Sequence, residues 1–167
     1  MKSMTKDNLK AAFAGESQAH MKYAAFSAKA ARDGWANVAK LFEAISYAEL
    51  VHATNHLRVL GGIEGSPANL ATAIAGETYE VQEMYPAFQA VAELHGEKAA
   101  WQTMHWAVEA EKGHAEMYGT AKAAVEEGKD IDIDQVYVCG RCGWTGIGEP
   151  PDECPICNAK KDLFRLF

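Results

Sequence analysis

One short pattern occurs twice in this chain, in the same order and with the same internal spacing to within a residue. Ala14-Gly15-Glu16 is followed by Glu49-Leu50-Val51-His52, and Ala75-Gly76-Glu77 is followed by Glu111-Lys112-Gly113-His114. On a helix, residues three apart share a face, so each Glu-x-x-His turns a carboxylate and an imidazole toward the same point. The repeat therefore predicts a duplicated helical hairpin, with a lone glutamate on its first helix and a Glu-x-x-His on its second. Two such hairpins with short connections make an all-α four-helix bundle.

The surrounding sequence fits that reading. From residue 6 to residue 127 alanine is abundant, β-branched residues are sparse, and apolar residues recur at three- and four-residue spacings, as in Leu9, Ala12, Phe13 and Tyr23, Phe26. Breakers cut the stretch into four. Asp33-Gly34 ends the first helix, Gly61-Gly62 the second, His95-Gly96 the third and Gly128 the fourth. Ser66-Pro67 reads as an N-cap followed by proline at the first helical position, opening the third helix. Pro86 falls inside that helix, where it removes a backbone donor and predicts a distortion just beyond whatever site the helix carries.

Carboxylates and histidines brought together inside a bundle form a donor set for hard divalent cations such as iron or manganese. Two cations offset the charge of four buried glutamates, which alone would be costly to bury. One glutamate from each of two helices, with a Glu-x-x-His from each of the other two, is the arrangement of dinuclear carboxylate bundles. Glu16, Glu49, His52, Glu77, Glu111 and His114 are thus candidate ligands. Glu80, three residues after Glu77, can face the same site, whereas its repeat mate is Ala19. Glu83, Glu93, Glu97, Glu126 and Glu127 read as solvated surface charges, and His20, His56, His95 and His105 as surface or core polar residues. Tyr23 and Tyr85 suit either hydrogen bonding near the metals or ordinary packing.

After Gly128 the texture changes. Residues 129–135 form an acidic linker containing Asp130, Asp132 and Asp134, and residues 136–167 are rich in turns. About thirty residues bury too little surface to fold without help, and a metal is the usual remedy. All four cysteines lie here, as Cys139-Gly140-Arg141-Cys142 and Cys154-Pro155-Ile156-Cys157. Disulfides of a secreted scaffold would be spread along the chain, so the cluster reads as one tetrahedral thiolate site in a reducing compartment. Its spacing suits iron or zinc equally. Gly143 and Asn158 stand directly after the two turns at equivalent places, where a knuckle calls for positive φ. The expected division is a bundle over 1–128, a linker over 129–135 and a metal-bound domain over 136–167.

A net charge of −7 argues against nucleic acid as a partner. No apolar run reaches the roughly 18–20 residues of a membrane span. Met1 to Lys10 is too polar for a secretory signal. The expectation is a cytoplasmic protein with neither nucleic-acid nor membrane partners.

Together these residues identify a family. The chain resembles rubrerythrin, a ferritin-like di-iron bundle followed by a rubredoxin-like domain, over essentially its whole length. The resemblance rests on Ala14-Gly15-Glu16-Ser17-Gln18-Ala19, Glu49-x-x-His52, the run from Ala75 to Pro86, Glu111-x-x-His114 and the two cysteine knuckles. It implies two irons held by Glu16, Glu49, Glu77, Glu80, Glu111 and His114, with Glu49 and Glu111 bridging. It also implies that one iron exchanges Glu80 for His52 as oxidation state changes, that Tyr23 and Tyr85 serve beside the metals, and that Cys139, Cys142, Cys154 and Cys157 hold an iron. The short stretch between the knuckles matches this family better than free-standing rubredoxin. Asn158 departs from it, standing where glycine is usual.

The implied activity is reduction of hydrogen peroxide to water, with electrons returned through the four-cysteine iron from an external NAD(P)H-dependent reductase or a rubredoxin, in a homodimer or higher oligomer. No dinucleotide-binding glycine fingerprint suggests that the chain binds nicotinamide itself. A ferroxidase or iron-storage protein would use the same bundle ligands but has no need of the tail. An oxygen-reducing protein needs no different ligands. A zinc-ribbon interaction module would explain the tail and leave the repeat to chance.

Overall fold

The computed structural model describes all 167 residues. Helices α1 (Ser3–Arg32) and α2 (Ala36–Val59) pack as one hairpin. A second hairpin succeeds it, and its first arm is composite. Helix α3 (Ser66–Tyr79) runs into a π-helical turn, Glu80–Met84, and on into α4 (Tyr85–Leu94), and this arm packs against α5 (Lys98–Glu126). The helices are those of a ferritin-like bundle, and they stop where the breakers do, with Gly34, Gly61, Gly96 and Gly128 all at positive φ. A small three-stranded antiparallel sheet of β1 (Val136–Cys139), β2 (Thr145–Ile147) and β3 (Phe164–Leu166), in the order β2-β1-β3, completes the chain as a rubredoxin-like domain.

The chain divides into two compact units, Met1–Glu64 and Gly65–Phe167. In the first, small residues line the seam: Ala30, Ala39, Ser46 and Ala53 are buried. Ser46 and His20 lock the two helices together, with the Ser46 hydroxyl donating to the His20 carbonyl at 2.9 Å and His20 Nδ1 lying 2.9 Å from the Ser46 carbonyl oxygen. Tyr23 joins Phe26 and Phe42 in an aromatic cluster, with ring centroids 5.6–6.2 Å apart.

Two local expectations are corrected. Ser66 is the first helical residue rather than the N-cap; Gly65 takes the cap position, and no side chain caps the helix. The distortion due to Pro86 begins at Glu80, within the candidate site rather than beyond it. Pro86 lacks the N–H that would bond to the Gln82 carbonyl, and its ring crowds that oxygen. The chain widens the preceding turn, so the Tyr85 N–H donates to the Glu80 carbonyl five residues back. One extra residue in a turn rotates the rest of the helix by about 100°. That rotation brings Tyr85 into electrostatic range of Glu77, Glu80 and Glu111.

In the small domain, Tyr137, Cys139, Cys154, Ala159 and Phe164 form the core, with Trp144 packed against them. Strand β1 pairs with β2 from Val136↔Ile147 to Val138↔Thr145 and with β3 from Tyr137↔Leu166 to Cys139↔Phe164. The sheet thus holds the first knuckle from both sides.

Candidate metal centres

Each helical hairpin builds one triad. In the first unit, Glu16 from α1 meets Glu49 and His52 from α2; in the second, Glu77 from α3 meets Glu111 and His114 from α5. Within each triad one donor atom per residue lies within 4.8 Å of the others. The i, i+3 geometry does its work in both: His52 Nδ1 is 3.0 Å from Glu49 Oε2, and His114 Nδ1 is 2.5 Å from Glu111 Oε2.

Electrostatics mark both triads as short of positive charge. A hydrogen bond donated by the Glu16 carboxyl to Glu49 is the main influence raising Glu16, while the same bond, with help from His52, lowers Glu49. In the second triad burial, then the hydrogen bond and charge of Glu111 and the charge of Glu80, push Glu77 up to about 7. Burial and Glu111 also raise Glu80, and burial with the charges of Glu80, Glu111 and Glu77 raises the Tyr85 phenol. Carboxylates held this close need a shared proton or a cation, and divalent cations meet that need with the preferred oxygen and nitrogen donors.

Glu80 sits on the π turn within electrostatic reach of Glu111 and His114. Tyr23 lies in the aromatic cluster of the first hairpin, and the Tyr85 phenol lies within electrostatic range of the second triad. Glu83, Glu93, Glu97, Glu126 and Glu127 are exposed, as surface charges should be. His56, read as an ordinary polar residue, lies within electrostatic range of Glu16. Its position two turns after Glu49 was the available signal. Thr145, which no motif marks, reaches His114 Nε2 at 2.8 Å.

The four cysteine sulfurs also cluster within 4.8 Å of one another, unbridged by disulfides. Cys139 Sγ is 3.6 Å from Cys157 Sγ, and Cys142 Sγ is 3.5 Å from Cys154 Sγ. A tetrahedron with metal–sulfur bonds of ~2.3 Å has edges of about 3.8 Å, so the sulfurs stand close to where a metal needs them. The two knuckles are built alike. Gly143 N–H donates to the Cys139 carbonyl and Asn158 N–H to the Cys154 carbonyl, each at 2.9 Å, and Gly143 and Asn158 have φ of 83° and 55°. Burial disfavours the Cys139 thiolate, but N–H groups of Arg141 and Cys142 and neighbouring thiols outweigh it and hold Cys139 at about 7. Burial raises Cys142 and Cys157. Cys139 therefore ionises ahead of Cys142 and Cys157.

Carboxylate–histidine triads on paired helical hairpins, followed by a four-thiolate knuckle pair, define a ferritin-like di-iron carboxylate protein with a rubredoxin-like tail. Comparison with known proteins carries this further. The rubrerythrin family model matches residues 7–122, and the model for the rubrerythrin rubredoxin-like domain matches residues 137–165. The chain belongs to the rubrerythrin family. It is 41% identical to rubrerythrin-2 of Clostridium acetobutylicum over 99% of this chain and 97% of that protein. It is 37% identical to nigerythrin of Nitratidesulfovibrio vulgaris, covering 98% of this chain and 86% of the other. Among solved structures, nigerythrin in its fully reduced, all-ferrous state matches with a TM-score of 0.57 and 36% identity, over 100% of this chain and 88% of that one. No helix is long and apolar enough to cross a membrane.

Proposed function

We propose that this protein reduces hydrogen peroxide to water and draws the electrons, through its own four-cysteine site, from an external NAD(P)H-dependent reductase or a rubredoxin. The supporting observation is the coexistence in one chain of two carboxylate–histidine triads and a four-thiolate site. An iron store needs the triads alone; a catalyst that must be re-reduced after each turnover has a use for both.

When bound, a ferrous pair supplies the two electrons that cleave the O–O bond, and the tail iron supplies single electrons for its re-reduction. The residues of this chain do the rest. Glu16, Glu49, Glu77, Glu80, Glu111 and His114 would hold the pair, Glu49 and Glu111 would be the carboxylates shared by both ions, and His52 would take the place of Glu80 in one oxidation state. The alternation is consistent with the two side chains. The His52 side chain is 55% exposed against 25% for His114, and Glu80 sits on the adaptable π turn. Burial and the charges of Glu80, Glu111 and Glu77 raise the Tyr85 phenol, which would serve as a proton-bearing neighbour of the second triad; Tyr23 is assigned as its counterpart in the first hairpin. Cys139, Cys142, Cys154 and Cys157 hold the tail iron.

We assign the di-iron bundle to residues 1–128, the linker to 129–135 and the four-cysteine domain to 136–167, in a cytoplasmic homodimer or larger oligomer. Four unpaired thiols suit a reducing compartment.

The test is anaerobic stopped-flow absorbance of the fully reduced, iron-loaded protein mixed with hydrogen peroxide and, separately, with oxygen. The sulfur-to-iron band of the oxidised tail is expected to return quickly with peroxide and more slowly with oxygen. Equal or faster return with oxygen indicates an oxidase. Absence of the band, with iron uptake instead, indicates a ferroxidase.

A further inference from the structure

We propose that Thr145 is a positioning residue that fixes the ring of His114 with Nδ1 presented to the metal, and that it ties this ligand to closure of the first cysteine knuckle. The inference rests on the reading of His114 as a bundle ligand and adds the device that orients it.

The hydrogen-bond directions emerge from counting protons. Thr145 Oγ1 lies 2.9 Å from the Gly143 carbonyl oxygen and 2.8 Å from His114 Nε2. A carbonyl oxygen only accepts, so the single hydroxyl proton goes to Gly143. Toward His114 the hydroxyl offers lone pairs alone, and Nε2 must carry the proton. A neutral imidazole protonated at Nε2 keeps its lone pair on Nδ1. That atom is the one beside Glu111 Oε2, in the triad with Glu77. Without metal, the 2.5 Å approach of Nδ1 to Glu111 Oε2 holds a proton between them, so a metal entering the triad must displace that proton, and it meets a ring already aimed through its Nε2–H.

The anchor is itself rigid. Thr145 opens β2 and pairs with Val138 of β1. The carbonyl receiving its proton belongs to Gly143, the residue directly after Cys142, and Gly143 N–H is bonded to the Cys139 carbonyl at 2.9 Å. The orientation of a bundle ligand is thus linked to a loop that the four-cysteine site closes. His52 has no such tether: it is held through Nδ1 alone, 3.0 Å from Glu49, with a side chain more than twice as exposed. The two motifs match in sequence and differ in freedom, and Thr145 is the difference.

The test uses the full chain loaded with zinc, which is diamagnetic, and 15N-labelled histidine. In the native protein the His114 Nε2 proton is expected to be visible and to exchange at least about tenfold more slowly than that of His52. Thr145→Val, which keeps the shape and removes the hydroxyl, should abolish that protection, and Thr145→Ser should retain it. Removing the outer partner of a metal-bound histidine costs roughly 10–100-fold in affinity. A chelator should therefore withdraw bundle zinc at least about tenfold more readily from Thr145→Val, with the cysteine-bound zinc unchanged and Thr145→Ser behaving as the native protein. A native His114 protonated on Nδ1, exchange at Nε2 as free as at His52, or unaltered zinc retention in Thr145→Val overturns the proposal. The native spectrum decides even if a variant fails to fold. Peroxide enters neither arm, so loss of peroxidase activity as a reading leaves this test standing. If His114 does not shift on zinc loading, the ligand assignment itself fails.

Discussion

Glu77 on α3 and Glu111 on α5 bring carboxylate oxygens within 4.8 Å of each other, an approach that a proton shared between them relieves. Burial comes first in raising Glu77, followed by its hydrogen bond to Glu111 and the charges of Glu111 and Glu80, and its carboxyl titrates at about 7 rather than 4.5. A carboxyl whose folded value is raised favours the fold while protonated. Its contribution is complete below about pH 4.5 and is lost as pH rises through 7. The metal-free chain is therefore expected to melt at a lower temperature at about pH 7.5 than at about pH 5, and Glu77→Gln should flatten this dependence. Thermal unfolding followed by circular dichroism measures it; a melting temperature that holds steady or rises over that range would count against the shared proton.

Replacing Glu49 separates the two metal centres. Its carboxylate meets Glu16 and His52, while the four cysteines lie in the other unit. Glu49→Ala is expected to lose bundle metal and peroxide turnover, by more than the roughly 100-fold that loss of an outer partner can cost. The tail's sulfur-to-iron absorbance should remain. Metal analysis with the visible spectrum reads both, and normal turnover in this variant would falsify the assignment of Glu49.

The complementary change is Cys157→Ser. Cys157 Sγ completes the sulfur cluster 3.6 Å from Cys139 Sγ, and a serine oxygen is a poor substitute for soft thiolate. The tail chromophore should vanish. The reduced bundle should still react once with peroxide, whereas steady-state turnover with the reductase slows markedly. Single-turnover and steady-state rates measured side by side make the comparison; equal steady-state rates in variant and native protein would mean that electrons bypass the tail.

What was legible in the sequence was what local periodicity encodes. Glu49 with His52, and Glu111 with His114, fall on shared helical faces because 3.6 residues make a turn, and the repeated Ala-Gly-Glu announces the partner helix of each hairpin. The knuckles were legible because two short Cys-x-x-Cys loops leave thiolates few other ways to converge. Less of the π turn was visible. Pro86 signals a distortion, but where the helix absorbs it depends on packing, and it fell on Glu80. The bond from Thr145 to His114 joins residues 31 apart through docking of β2 near α5, and no local pattern marks a threonine for that role. The unequal exposure of His52 and His114 is likewise a tertiary property: the motifs match, and only their surroundings differ.

Asn158 offers the last test, because the second knuckle asks of it what the first asks of Gly143. Its N–H donates to the Cys154 carbonyl at 2.9 Å while its backbone sits at φ 55°, in the left-handed region. Asparagine tolerates that region better than other residues bearing a Cβ, and a β-branched side chain tolerates it worst. Asn158→Gly should therefore leave the small domain within about 0.5 kcal/mol of its native stability, as for an ordinary surface change. Asn158→Val should cost about 1–2 kcal/mol, the usual strain of a left-handed residue. Since Cys157 is adjacent, that strain should appear as earlier thermal bleaching of the tail's sulfur-to-iron band, with helical ellipticity little changed. Equal bleaching temperatures for the glycine and valine variants would show that the knuckle does not depend on positive φ at this position.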